Sequence, residues 1–230
     1  VWDWYVAKVK ELGRVDIVVV NGDAVDGDGH HQTLGQLTTD TKEQAEMACA
    51  ALSLVNARKR LMTFGTSYHT VGSYDYEELV AEYIDAEIRD TLLLDVSGVK
   101  LNVRHVAGRS DIPYGQGTPI LKEMVRDLIN AMQEEREPAD WTIRGHVHYW
   151  IKVEIDGKKA VSLPALQVPE TIFGRRCRAM YYTVGMAHAD IDKNGHGDIV
   201  VDKMPLKLVR PKEYIRCGET VRSRSRSAKS

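Results

Sequence analysis

The stretch Val15-Asp16-Ile17-Val18-Val19-Val20-Asn21-Gly22-Asp23 decides how this chain is read. Five β-branched residues in six positions form a nearly continuous apolar run, the pattern of a strand buried on both faces. Such strands belong to parallel or mixed sheets covered by helices. The run stops at Asn-Gly-Asp, where a glycine lets the backbone turn sharply. In open α/β sheets, ligands gather beyond the carboxyl ends of strands. A carboxylate at that point is therefore a candidate for chemistry as well as for turn capping.

Working outward, residues 1–12 carry apolar side chains at helical spacing and end at Gly13. Trp2 and Trp4 on this helix read as packing residues, with Asp3 facing water. A polar, glycine-rich loop fills 24–39. Residues 40–58 have a helical apolar stripe at Ala45, Met47, Ala48, Ala51, Leu52 and Val55. A short strand at 61–64 ends at Gly65, and 75–88 read as an amphipathic helix. Strands at 91–96 and 99–106 turn at Ser97-Gly98, and 117–136 form a helix with a charged far face. Residues 141–144 are another short strand ending at Gly145. Segments 149–155 and 159–163 flank the hairpin turn Asp156-Gly157. Strands near 180–191 and 198–206, turning at Asp192–Gly195, complete the pattern. The first half alternates helix and strand and the second half is richer in hairpins. This predicts a mixed sheet joined to a second, more antiparallel one, with helices outside.

The bulk numbers narrow the function. The chain has 230 residues, a 43% hydrophobic fraction and 31 basic against 33 acidic residues, for a net charge of −2. That balance suits one large globular domain and argues against a globally polybasic surface. Cys49, Cys177 and Cys217 are odd in number and widely spaced, which disfavours a disulfide framework or a thiolate zinc site. A reducing, cytoplasmic location follows as the expectation. No apolar run reaches the ~20 residues of a membrane span, so no membrane partner is expected. The segment 209–230 includes the run Arg222-Ser223-Arg224-Ser225-Arg226-Ser227 and reads as a basic, disordered tail. Gripping a nucleic-acid backbone is the sharper alternative for that tail.

Three strands end at a glycine followed by polar or ligand-type residues. They give Gly22-Asp23-Ala24-Val25-Asp26, Gly65-Thr66-Ser67-Tyr68-His69 and Gly145-His146-Val147-His148. A fourth ends at His105. Carboxylate and imidazole at converging strand ends suit a hydrolytic metal cluster, because a carboxylate can bridge cations and neutral imidazole supplies nitrogen. Each residue also has a plainer reading. Asp23 could cap a turn, His105 could be a satisfied structural histidine, and Thr66 could serve the backbone. His30 and His31 read as loop residues, and His188 and His196 as solvated ones.

In order and spacing these pieces resemble the calcineurin-like metallophosphoesterases, whose elements run Asp-x-His, Gly-Asp-x-x-Asp, Gly-Asn-His-Asp/Glu, a lone His, then Gly-His-x-His. The resemblance covers about residues 1–205 and implies a four-layer α/β/β/α sandwich of two mixed sheets over 1–208. Two elements depart. Asp-x-His is absent, which implies that a first strand is missing before Val1 and that the chain is weakly active or inactive. Gly65-Thr66-Ser67-Tyr68-His69 replaces Gly-Asn-His-Asp and is similar to phage-type members.

The resemblance implies Asp23 bridging two cations, His105 and His146 on one and His148 on the other. His69 would be the catalytic proton donor, and Asp26 and Thr66 would be supporting residues. The cofactor would be two divalent ions, manganese, iron or zinc, or a single ion in this chain. The partner would be a phosphoester substrate, including nucleotides or nucleic acid, attacked by metal-bound hydroxide. The competing expectations are an inactive or single-metal binding protein of the same fold, and a nucleic-acid-binding protein acting through its tail.

Overall fold

The computed structural model describes residues 1–27, 36–69, 75–110, 112–168 and 182–206, with the side chain of residue 68 left out. The first element is helix α1 (Trp2–Leu12), which ends where Gly13 adopts a φ of 66° and returns its N–H to the Val9 carbonyl. Its buried residues are Tyr5 and Val9, whereas Trp2 is exposed. The packing role expected of Trp2 passes to Tyr5, whose hydroxyl donates to the Ala51 carbonyl.

Strands β1 (Arg14–Asn21), β2 (Asn56–Thr63) and β3 (Ala86–Arg89) form a parallel sheet in the order β1-β2-β3. Helices α2 (Thr41–Ser53) and α3 (Tyr76–Tyr83) are the crossovers, each started by an aspartate cap, Asp40 and Asp75. The sequence pattern overextended both helices. After Ser53 and Tyr83 the chain turns and re-enters the sheet, so 56–58 and 86–88 are strand. Charged β2 residues Arg58 and Lys59 hid that strand's start, because they lie at its solvent-exposed end.

A second sheet has the order β4-β5-β6-β8-β7, built from β4 (Thr91–Val96), β5 (Val99–Arg104), β6 (Trp141–Arg144), β7 (Ile151–Ile155) and β8 (Lys158–Ser162). β5-β6-β8 are parallel and the two outer pairs antiparallel. Helix α4 (Gly117–Gln133) covers one face through Ile120 and Met124. A hairpin of β9 (Gly185–Ile191) and β10 (Gly197–Lys203) adds Ile199 and Ala187 to the central core.

The layers follow from the clusters. Ile17, Val19 and Leu61 of the first sheet meet Leu92, Val103, Trp141, Ile143 and Val161 of the second. On the far side of the first sheet, Met62 and Val20 pack under Ala45, Cys49, Val80 and Ala81 of α2 and α3. The architecture is thus the expected α/β/β/α sandwich of packed sheets. The two-sided burial expected of β1 is not reached: Val15, Ile17, Val18, Val19 and Val20 are all half-buried. β1 lies at the sheet edge, with β2 its one strand partner among the described residues. The expected charged outer face of α4 is met only in part, with Lys122 and Arg126 exposed. Glu123 and Asp127 are buried against the sheet, whereas Val125, Ile129 and Met132 are exposed. Among the described residues no helix is long and apolar enough to cross a membrane. His30, His31 and the segment 209–230 lie outside the described residues, as do Cys177 and Cys217; Cys49 is a buried free thiol.

Candidate metal centre

The ends of β1, β5 and β6 deliver Asp23, His105 and His146 to one place. One donor atom of each lies within 4.8 Å of the others. Asp23 Oδ2 is 2.8 Å from His105 Nε2, 3.4 Å from His69 Nε2 and 4.0 Å from His146 Nδ1. The other oxygen, Oδ1, accepts the Thr66 N–H at 2.8 Å, with the Thr66 hydroxyl at 3.4 Å. One carboxylate oxygen is therefore anchored by the loop after β2, and the other faces imidazoles.

The ring states can be read from the partners. His105 Nδ1 lies 2.6 Å from the Asn21 carbonyl, which can only accept, so Nδ1 carries the hydrogen. In the neutral ring the buried Nε2 then presents a lone pair to Asp23 Oδ2 at 2.8 Å, whereas the protonated ring donates to it. A lone pair set against a carboxylate calls for a cation between them, either a proton or a metal ion. His69 repeats the arrangement. Its Nδ1 is 2.9 Å from the Asp26 carbonyl and its Nε2 faces Asp23.

Electrostatics agree with this reading. Burial alone would raise the Asp23 pKa, but His105, His146 and His69 hold it far below the usual carboxylate range. Burial would lower His69 and His105, but Asp23 raises both. His148 is different. Burial pushes it down to about 4, beyond what Asp23 restores. It lies outside the three-residue group, and its Nδ1 is 3.0 Å from the Tyr182 hydroxyl.

The backbone turns left-handed at three of the candidate ligands. Asp23, His146 and His148 have φ of 52°, 70° and 57°, in the left-handed region. Among the described residues the other non-glycine ones of this kind, Asp85, Ser97, Glu135 and Asp156, lie where helices or strands end. Residues held this way cost of order 1–3 kcal/mol each and cluster at functional sites. Two glycines permit the close approach. A Cβ on Gly65 would stand 2.2 Å from Asp23 Oδ1, and one on Gly22 would stand 2.5 Å from His105 Nδ1.

The donors fit a divalent cation. Nitrogen and oxygen donors within a few ångströms of one another, buried at His105 and exposed at His146, form a group that could hold one such ion. Of the expected supporting residues, Thr66 reaches Asp23 directly. Asp26 acts through its carbonyl on His69, and its side chain is exposed. His188, expected to be solvated, instead pairs with Asp202 at 2.9 Å on the β9–β10 hairpin.

Sequence reasoning missed three residues. Asn21 ends β1, orients His105 through its carbonyl, and has an unpartnered buried Nδ2. Tyr182 meets His148. Glu77, on α3, accepts from Ala24 and Gly65. The Asn-Gly-Asp ending signalled Asn21; nothing local signalled the other two.

No family model matches this chain, and no curated protein does. Solved structures do align over most of its length. A single mutant of Vps29 from Entamoeba histolytica is 13% identical, covering 88% of this chain and 89% of that one, with a TM-score of 0.46. An archaeal phosphodiesterase is 13% identical over 86% and 92%, with a TM-score of 0.48. A predicted phosphoesterase from Streptococcus pneumoniae is 12% identical over 81% and 97%, with a TM-score of 0.39.

Proposed function

We propose that this protein is a metal-dependent phosphoester hydrolase centred on Asp23. The observation that carries the reading is the meeting of Asp23, His105 and His146, with buried His105 Nε2 at 2.8 Å and His146 Nδ1 at 4.0 Å from one Asp23 carboxylate oxygen. Asp23, His105 and His146 would hold one divalent ion, and His148, with Asp23, a second. Manganese, iron and zinc all suit nitrogen and oxygen donors. Cations there would lower the pKa of water and neutralise charge on phosphoryl oxygens. The chain's own residues do the rest. Asp23 keeps its full negative charge through the neighbouring imidazoles. Asn21 and Asp26 carbonyls fix the ring planes of His105 and His69. Thr66 pins Asp23 Oδ1. His69 in its protonated form, favoured by Asp23, donates a proton to the departing oxygen. The substrate class is a phosphodiester or phosphomonoester, with nucleotides and nucleic acid included. Buried free Cys49 suits the reducing cytoplasm.

One observation favours a second reading, a single-metal binding protein of the same fold. Only three donors gather within 4.8 Å among the described residues, and His148 Nδ1 is engaged by Tyr182. Metal analysis with an aryl phosphodiester assay separates the two. Purified protein with manganese should turn over weakly. His146→Ala should lose bound metal and turnover, and His188→Ala should keep both. Metal uptake without turnover selects the binding protein. Equal metal content in the wild type and His146→Ala overturns the centre itself.

A further inference from the structure

Asp23 has a φ of 52°, in the left-handed region that is sparsely populated outside glycine, so contacts that fix it there bear on where its carboxylate points. The chain on either side of the site shows what does. Glu77 is 4% exposed, and its two oxygens are divided between two loops. Oε1 accepts the Ala24 N–H at 2.8 Å, one residue past Asp23. Oε2 accepts the Gly65 N–H at 2.5 Å, one residue before Thr66. Thr66 in turn donates its N–H to Asp23 Oδ1 at 2.8 Å. We infer that Glu77 is a positioning residue that locks Asp23 in its left-handed conformation and aims Oδ2 at the imidazoles.

The choice of residue is informative. Two buried N–H groups from separate loops need two acceptor atoms in one planar group bearing no hydrogen of its own, which an ionised carboxylate provides and an amide does not. The location is electrostatically unfavourable, because burial and the neighbouring Asp23 both raise the Glu77 pKa. A group serving packing alone would carry no charge there. Gly65 contributes as well, since any side chain would collide with Asp23. Glu77 is itself held at the start of α3, where its own N–H donates to Asp75 Oδ1 at 2.9 Å.

The inference rests on the metal reading for its purpose and on the metal-free protein for its test. In isotopically labelled metal-free protein, Glu77→Gln should speed exchange of the Ala24 and Gly65 amides at least tenfold. It should also move the Asp23 Cα chemical shift toward extended-chain values. With zinc alone as the probe, calorimetry should show affinity reduced by about 10–100-fold. Asp127→Asn, which alters another buried carboxylate, should lower the melting temperature and leave the Asp23 shift and zinc affinity unchanged. Unchanged Asp23 shift and amide exchange in Glu77→Gln would overturn the inference. Should that variant not fold, the wild type still decides. Scalar coupling across the hydrogen bond from the Gly65 nitrogen to the Glu77 carboxyl carbon is expected, and its absence counts against the proposal. A wild type that binds no zinc defeats the hydrolase reading and leaves the backbone measurements to judge Glu77. Equal zinc affinity in the wild type and Glu77→Gln defeats only the positioning role.

Discussion

Glu77 at the rim of the first sheet and Asp127 beneath the second are both buried acids, yet their environments are opposite in kind. Asp127 faces the Arg136 guanidinium at 2.7 Å, Asn102 Nδ2 at 2.7 Å and the Ala139 N–H at 2.8 Å. Nearby, Glu123 holds the 4%-exposed Arg144, which also donates to the Asn102 carbonyl and side-chain oxygen. Among the described residues Glu77 has no ion-pair partner; it accepts two amides and feels the like charges of Asp23 and Asp75. The α4 cluster neutralises its charges and ties a helix to a sheet. The Glu77 arrangement tolerates an unneutralised charge in order to fix loop geometry. Perturbed buried charges of that kind gather at functional sites more often than elsewhere, which is consistent with the proposed metal centre beside Glu77.

The largest expected effect tests the structural cluster. Glu123→Ala leaves Arg144 buried without its carboxylate, and should lower unfolding stability by about 3–5 kcal/mol in denaturant titrations. Zinc affinity of the folded fraction should stay within twofold of wild type. A stability loss below ~1 kcal/mol would erase the contrast.

Next comes the rim. Gly65→Ala places a methyl group 2.2 Å from Asp23 Oδ1. Overpacking of this kind costs about 1–3 kcal/mol, and metal binding should disappear with it. Gly108→Ala is the matched control, because its Cβ would meet the Pro119 Cβ at an ordinary 3.6 Å. It should change stability by less than ~0.5 kcal/mol. Equal zinc binding by both variants would show that close approach at Gly65 is incidental.

The acid–base signs give a subtler test. Burial alone would raise Asp127, but Arg136, the Ala139 amide and Asn102 hold it below its usual value. Its contribution is present above the unfolded pKa and is lost as pH falls through the folded one. Glu77 is raised, chiefly by burial. Relative to Glu77→Gln, the wild type should therefore lose stability as pH rises from about 4.5 through the folded Glu77 value. Denaturation of wild type, Asp127→Asn and Glu77→Gln across pH 3–7 should show the two slopes with opposite sign. Parallel slopes would mean the two carboxylates are not different in kind.

Much of this contrast was hidden in the sequence, for a physical reason. Val15–Asp23 announced a strand ending in a carboxylate, and the layered fold and the meeting of Asp23, His105 and His146 were legible from strand ends. Those features depend on local periodicity and on the rule that parallel strands converge their carboxyl ends. Glu77 looked like any acidic residue in a helix's first turn, and Glu123 and Asp127 looked like a solvated face. Partners 12 to 53 residues away decide their burial. The start of β2 and the whole of β3 were missed because a helical stripe ran past Ser53 and Tyr83 before tertiary pairing took over. His148 stood in register for the site, but its orientation is decided by Tyr182, 34 residues on.

The smallest expected effect bears on what holds β1 to its neighbour. Asp16 and Arg58 form an ion pair at 3.1 Å across β1 and β2, with side chains 81% and 64% exposed. Exposed pairs of this kind contribute about 0–1 kcal/mol, because water screens them and two long side chains must be immobilised. Val19, by contrast, joins the cluster between the sheets. Arg58→Ala should cost less than ~0.5 kcal/mol in denaturant titrations, and Val19→Ala more, through lost contacts in the core. Reversal of that order would mean that charge, not aliphatic packing, secures β1, and with it the carbonyl of Asn21 that orients His105.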